Sequence, residues 1–143
     1  MRSIPENPLI IKLFEIYEEK DNIIFVLELM EGGSLEKLIK THIRLAENEI
    51  YSIFYQILKG VFFLHSKGIM HRDIKPDNIL FSKETELSSL KIADFSLADM
   101  FSPNKKINSF CGTPGFMAPE IFSGNHYDEK VDVYSLGLIL YIL

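Results

Sequence analysis

The stretch Ile69-Met70-His71-Arg72-Asp73-Ile74-Lys75-Pro76-Asp77-Asn78-Ile79-Leu80-Phe81 limits what this chain can fold into more than any other. His71, Arg72, Asp73, Lys75 and Asn78 fall within eight positions, and an apolar triplet follows at once. A solvated charge run does not need that apolar tail. A buried strand does not tolerate the charges unless they are paired or at work. The stretch therefore predicts a loop that carries chemistry and runs into a short strand that pins it.

The bulk properties narrow the setting. With 143 residues, 47% of them hydrophobic, the chain can bury one modest core or part of a larger one. A formal net charge of -5 argues against nucleic-acid or anionic-membrane partners, which need a basic face. The lone cysteine, Cys111, allows neither a disulfide nor a cysteine metal site within the chain, which fits a reducing, cytoplasmic compartment. The N-terminus shows no signal core, and the apolar run from Leu136 to Leu143 is too short to span a bilayer.

Taken in order, the pattern predicts a small sheet and then helices. Met1 to Ile4 reads as the last turn of a helix closed by Pro5 and Pro8. Leu9 to Tyr17 and Ile23 to Met30 read as strands of one hairpin. Gly32 and Gly33 permit a sharp bend, and Ser34 suits an N-cap for a short helix bearing Leu35, Leu38 and Ile39. From about Ala46, Ile50, Ile53, Phe54, Ile57, Leu58, Val61, Phe62 and His65 recur at helical steps as one buried face, and Gly68 ends that helix. Leu90 to Ala93 is a further short strand. Leu97 to Met117 loses periodicity and reads as a long functional loop. Ala118 to Phe122 is a short helix, and Val131 to Leu143 a buried one. This order suggests two lobes joined at residues 30–34.

Three motifs now stand in sequence: His71-Arg72-Asp73-Ile74-Lys75-Pro76-Asp77-Asn78, then Asp94-Phe95-Ser96, then Met117-Ala118-Pro119-Glu120. Together they resemble the catalytic loop, the metal-binding D-F-G and the closing A-P-E of eukaryotic-type protein kinases. The resemblance implies an α+β, two-lobed protein-kinase-like fold, present as a fragment with a remnant N-lobe β-hairpin and a mainly helical partial C-lobe. Residues 1–30 would end the N-lobe, 31–34 form the hinge and 35–143 begin the C-lobe. It also implies ATP and Mg²⁺ as cofactors and protein Ser/Thr hydroxyls as substrates.

Residue by residue, Asp73 matches the base that orients and accepts the substrate hydroxyl proton. Lys75 matches the lysine that reaches the γ-phosphate. Asn78 and Asp94 offer hard oxygen ligands, which suits Mg²⁺ and not zinc. Lys75 and Thr113 resemble the serine/threonine-specific branch, in which Thr113 bonds back to Asp73 and Lys75. Leu27 matches the gatekeeper. The backbone of Glu28 and Met30 would face the adenine edge, with Leu80 beneath it. His71 and Phe95 would stack with Leu13 and Met1 into a spine. Asp132 resembles the buried aspartate that holds the catalytic loop's backbone, since a charge in so apolar a helix costs several kcal/mol unless its oxygens accept hydrogen bonds. Ser109, four residues before Thr113, stands where the family often carries an activating phosphate, with Arg72 as its partner. Asp99 falls where a second basic partner is expected, and Lys105 and Lys106 are candidate substitutes.

The chain also departs from the family. The 143 residues contain no Gly-rich phosphate loop and no strand lysine. The arginine that normally pairs with Glu120 is absent, and losing one partner of a buried pair typically costs about 3–5 kcal/mol, so Glu120 is expected to be solvated or re-paired. Ser96 replaces glycine, and a left-handed serine there would cost roughly 1–2 kcal/mol. The reading is a serine/threonine kinase resembling the calcium/calmodulin-dependent and related branches. The alternatives are a pseudokinase, or kinase-like interaction module without catalysis, and the unfoldable translation of a gene fragment.

Overall fold

A computed structural model describes residues 4–41, 44–83, 86–102 and 107–143. The helix turn expected at Met1 to Ile4 therefore lies almost wholly outside the described residues. Strands β1 (Leu13–Glu19) and β2 (Asn22–Leu27) form an antiparallel hairpin with Leu13 opposite Leu27 and Glu19 opposite Asn22. Both strands are shorter than the sequence suggests. Leu9, Ile10 and Ile11 do not join the hairpin. They run alongside Ile92, where Ile11 N donates to Ile92 O at 2.9 Å and Ile92 N donates to Leu9 O at 2.8 Å. Ile10 and Ile11 are thereby buried in the main core. The hairpin itself stays open to solvent along Phe14, Tyr17 and Ile23 to Leu27.

The bend beyond the hairpin is dictated by contact. A Cβ on Gly32 would lie 2.5 Å from the Lys83 carbonyl carbon and 2.8 Å from Phe81 Cβ, so only glycine fits. Gly32 N donates to Phe81 O at 2.9 Å. The following β3 (Gly33–Ser34) lies against the strand at Ile79–Phe81. Ser34 then caps helix α1 (Leu35–Thr41), accepting from Lys37 N at 3.2 Å.

Helix α2 (Glu47–Ser66) is the long support. Its buried arc is Ile53, Ile57, Gly60, Val61 and Leu64. Leu58 and Phe62, expected on that face, are 44% and 73% exposed. Each sits one residue, about 100° of rotation, beyond Ile57 and Val61, which carries it off the arc. After Gly68 come β4 (Ile69–Met70), a 3₁₀ turn at Pro76–Asn78 and β5 (Ile79–Phe81). β5 pairs with β3 on one side and with β6 (Leu90–Ile92) on the other. The segment expected to be an irregular loop is partly ordered by pairing: β7 (Asp99–Met100) lies antiparallel to β4, and Ile107 bridges Tyr127. Helices α3 (Pro119–Phe122) and α4 (Lys130–Ile142) complete the described chain.

Asp132 on α4 has no solvent exposure. Its Oδ2 accepts from His71 N at 2.8 Å and from His65 Nε2 at 2.9 Å, and its Oδ1 accepts from Arg72 N at 2.8 Å. The charge is thus held by donors from two elements, which offsets its desolvation. Asp132→Ala would strand the His71 and Arg72 amides in the interior. We expect it to lower unfolding free energy by about 3–5 kcal/mol in urea titrations, whereas Phe62→Ser should change it by no more than about 0.5 kcal/mol.

Candidate active site

The polar loop is shaped by its two ends. Upstream, Asp132 holds the amides of His71 and Arg72. Downstream, β5 is locked between β3 and β6. Between them Arg72 takes a left-handed φ of 67°. That conformation costs a non-glycine residue on the order of 1–3 kcal/mol and persists where the surroundings over-determine it. Here the amide is fixed by Asp132 and the guanidinium by Leu97 O, which accepts from Nε at 2.6 Å.

Asp73 follows and is buried. Its Oδ1 accepts from Thr113 N at 3.0 Å and Thr113 Oγ1 at 2.7 Å. Its Oδ2 meets Lys75 Nζ at 2.8 Å and accepts from Asn78 Nδ2 at 3.1 Å. Lys75 Nζ also donates to Thr113 Oγ1 at 2.7 Å. The structure therefore brings together Asp73, Lys75, Asn78 and Thr113, with Thr113 bonded to Asp73 and Lys75. Asn78 Nδ2 also donates to Asp73 O at 2.9 Å. Both described bonds of the Asn78 side chain thus leave through its nitrogen and go to Asp73.

Asp94 is exposed and has a φ of 60°. Its Oδ1 accepts from Ser96 N at 3.2 Å, a local bond of the kind that makes aspartate tolerant of left-handed backbone. The expectation for Ser96 is corrected here: among the described residues the positive φ falls on Asp94 and not on Ser96, so serine carries no left-handed cost. Phe95 is buried and meets His71 edge-on at 4.9 Å between ring centroids, as expected of the spine. Of the spine's other expected members, Leu13 is half-buried at the start of β1 and Met1 lies outside the described residues. Glu120 is half-exposed, consistent with solvation.

His71 is neutral in this setting. Burial pushes its pKa down, against the opposing pull of Asp132, the Ala93 carbonyl, Asp73 and Asp94. Its hydrogen bonds agree: Nδ1 accepts from Asp73 N at 3.2 Å and Nε2 donates to Ala93 O at 3.0 Å. For Asp73 burial is the largest single influence and raises the pKa. Lys75, Thr113 and Asn78 together outweigh it, and the carboxyl ends below its ordinary value.

At the other end of the cleft, the Glu28 carboxylate accepts from Lys12 N at 2.5 Å and pairs with Lys91 Nζ at 2.7 Å, tying the hairpin to β6. Met30 and Leu80 are half-buried against the main core, and Leu27 ends β2. A groove of about 640 Å³ lined by Ile4, Pro5, Ile11, Phe14 and Lys91 takes in Leu13 of the expected spine but none of the residues expected to act on ATP, metal or hydroxyl. On the 97–117 segment, Arg72 Nη1 donates to Ser109 Oγ at 2.5 Å, and Arg72 Nη2 lies 3.9 Å from Asp99 Oδ2. Lys105 and Lys106 lie outside the described residues. Gly112 passes so close that a Cβ would sit 3.0 Å from Arg72 O and 2.9 Å from Met117 Cγ, at a φ of 120°. Sequence reasoning missed Tyr127, whose hydroxyl meets both Ser109 and Arg72. It also missed Ser135, whose Oγ donates to Phe116 O at 2.8 Å. Tyr127 belongs to no motif, whereas Ser135 lies in the stretch Asp132-Val133-Tyr134-Ser135-Leu136-Gly137, where the sequence reading assigns a role only to Asp132.

These protonation states have a sign. Neutral His71 has a folded pKa below its usual value near 6.5, so the fold binds fewer protons than the unfolded chain below that pH. The resulting stability is complete above about pH 6.5 and is lost as pH falls below it; the contribution of Asp73 follows at lower pH, present above the ordinary carboxyl value and lost as pH falls through its lowered one. Urea midpoints should therefore fall from pH 7.5 to pH 5. His71→Phe should flatten that first step, and a midpoint indifferent to pH in the parent chain would contradict the assignment.

Comparison with known proteins agrees with this geometry. A family model for the protein kinase domain matches residues 1–143. Calcium-dependent protein kinase 5 of Plasmodium falciparum is 44% identical over 138 residues, covering 96% of this chain and 24% of that protein. Calcium-dependent protein kinase 24 of Arabidopsis thaliana is 41% identical over 143 residues, covering 100% of this chain and 24% of that protein. A probable myosin light chain kinase of Dictyostelium discoideum is 40% identical over 134 residues, covering 94% of this chain and 38% of the relative. The chain thus spans about a quarter of the length of the two calcium-dependent kinases, and no helix among the described residues is long and apolar enough to cross a membrane. The chain belongs to the protein kinase family.

Proposed function

We propose that the chain is the catalytic-loop portion of a serine/threonine protein kinase that transfers the γ-phosphate of Mg-ATP to protein hydroxyls. The observation that carries this reading is the shared engagement of Asp73 by Lys75, Asn78 and Thr113. A buried carboxylate held ionised beside an ammonium is suited to orient a hydroxyl and accept its proton. Lys75, on the same carboxylate, is placed to neutralise charge on a transferring phosphoryl group. The residues fit a magnesium ion: the exposed Asp94 carboxylate and the Asn78 amide oxygen are hard oxygen donors, and Mg²⁺ takes few protein ligands beside water and phosphate. When bound, the ion offsets negative charge on the phosphates.

Leu80 supports the adenine from below in this reading, the backbone of Glu28 and Met30 reads its edge, and Leu27 is the gatekeeper. Thr113 selects the serine/threonine branch through its bonds to Asp73 and Lys75. Ser109 is the modification site, with Arg72 as the phosphate's partner. Residues 1–30, 31–34 and 35–143 correspond to N-lobe, hinge and C-lobe. The 143-residue chain by itself should turn over little or not at all, since neither a Gly-rich loop nor a strand lysine occurs in it.

Ser96, which stands where the family carries glycine in Asp94-Phe95-Ser96, favours a second reading, a kinase-like module that binds partners without catalysis. Calorimetry on the full-length protein separates the two. The kinase reading expects nucleotide binding that depends on Mg²⁺ and weakens at least tenfold in Asp94→Ala. Binding that ignores both the metal and the variant, or no binding, favours the module.

A further inference from the structure

Tyr127 lies outside every motif, yet it stands where the activation segment meets the catalytic loop. Its ring is buried at 8% exposure. Its backbone N donates to Ile107 O at 3.0 Å, which starts a short antiparallel contact. Its hydroxyl donates to Ser109 O at 2.7 Å. The same oxygen accepts from Ser109 Oγ at 3.1 Å and from Arg72 Nη1 at 3.4 Å, while Arg72 Nη1 also donates to Ser109 Oγ at 2.5 Å. One arrangement of protons satisfies the whole set: guanidinium to serine and phenol, serine to phenol, phenol to the serine carbonyl. Both hydroxyl protons are used, the Cys111 thiol lies at the edge of the set 3.8 Å from the phenol oxygen, and none of the contacts requires a phosphate.

We propose that Tyr127 is a positioning residue that seats residues 107–113 on the catalytic loop while Ser109 is unmodified. The segment is short and held at both ends. Ile107 and Ser109 are fixed by Tyr127, and Thr113 by Asp73 Oδ1. Between them Gly112 passes against Arg72 O with no room for a side chain. A shift at Ser109 is therefore transmitted to Thr113, and from Thr113 to the carboxylate it contacts. Arg72 alone does not hold the Ser109 main chain, because its described bond to that residue goes to the hydroxyl. The phenol supplies the bond to the carbonyl. Order in this segment is then built into the fold, and a phosphate on Ser109 would add to it and not create it.

The test uses Tyr127→Phe, which keeps the ring and deletes the hydroxyl. Amide hydrogen exchange on the phosphatase-treated 143-residue chain should quicken at least tenfold at residues 109–113 and stay unchanged in α2. Unchanged exchange at 109–113 would overturn the proposal. So would faster exchange throughout α2, which marks a merely structural role. A kinetic arm rests on the kinase reading above. In the phosphatase-treated full-length protein, Tyr127→Phe should lower kcat at least tenfold with KM for ATP within twofold, and an equal kcat would again overturn it. A parent protein with no phosphotransfer, but with the exchange result as expected, would count against the kinase reading and leave the role of Tyr127 standing.

Discussion

The structure depends on one buried carboxylate. Asp132 is fully enclosed, and its oxygens accept from the amides of His71 and Arg72 and from His65. A buried charge is costly unless its lone pairs are filled, and here the donors that fill them belong to the loop that must be shaped. The same bonds compel Arg72 into a left-handed backbone, and that turn delivers Asp73. One turn further along α4, Ser135 holds Phe116 O. A single helix thus anchors the catalytic loop and the end of the activation segment together. Their relative placement follows from helix geometry and does not depend on either loop being rigid alone.

The two aspartates proposed for the site differ because their surroundings differ. Asp73 is buried among an ammonium, an amide and a hydroxyl, and its ionised form is favoured despite desolvation. Asp94 is exposed, at a left-handed position supported by the Ser96 amide. A carboxylate surrounded by donors suits proton and hydroxyl handling; one open to solvent suits a hydrated cation. His71 joins them without carrying charge: its ring bridges the Asp73 amide and the Ala93 carbonyl and meets Phe95. Neutrality there spares the interior another buried ion.

Much of this was legible in the sequence because the chemistry is local. Asp73, Lys75 and Asn78 stand out as a polar cluster by type and spacing, the resemblance to protein kinases adds Thr113, and the structure brings the four into contact. The helices and the hairpin followed from periodicity and turn residues. Two of the misses share a cause: they depend on partners distant in sequence. Leu58 and Phe62 look like core by period, but the arc of α2 is set by what packs on it. Leu9 to Ile11 look like hairpin strand, but Ile92 takes their hydrogen bonds. Ser96 looked strained by analogy, whereas the backbone placed its left-handed residue two positions earlier. Tyr127 and Ser135 act through hydroxyls on residues whose types are ordinary in a core; the one available signal is that Ser135 follows Asp132 by three positions, about one helical turn.

The proposal turns on the carboxylate of Asp73, held by this network, orienting a protein hydroxyl and accepting its proton as the phosphoryl group is transferred. It is tested most directly by incubating the full-length protein and its Asp73→Asn variant with γ-labelled ATP, Mg²⁺ and a mixed protein substrate, and identifying the labelled residue. The account predicts label on serine or threonine with the parent and a loss of at least a hundredfold with the variant, the scale expected for a general base. Equal labelling by the two proteins, or labelling by neither, would contradict it.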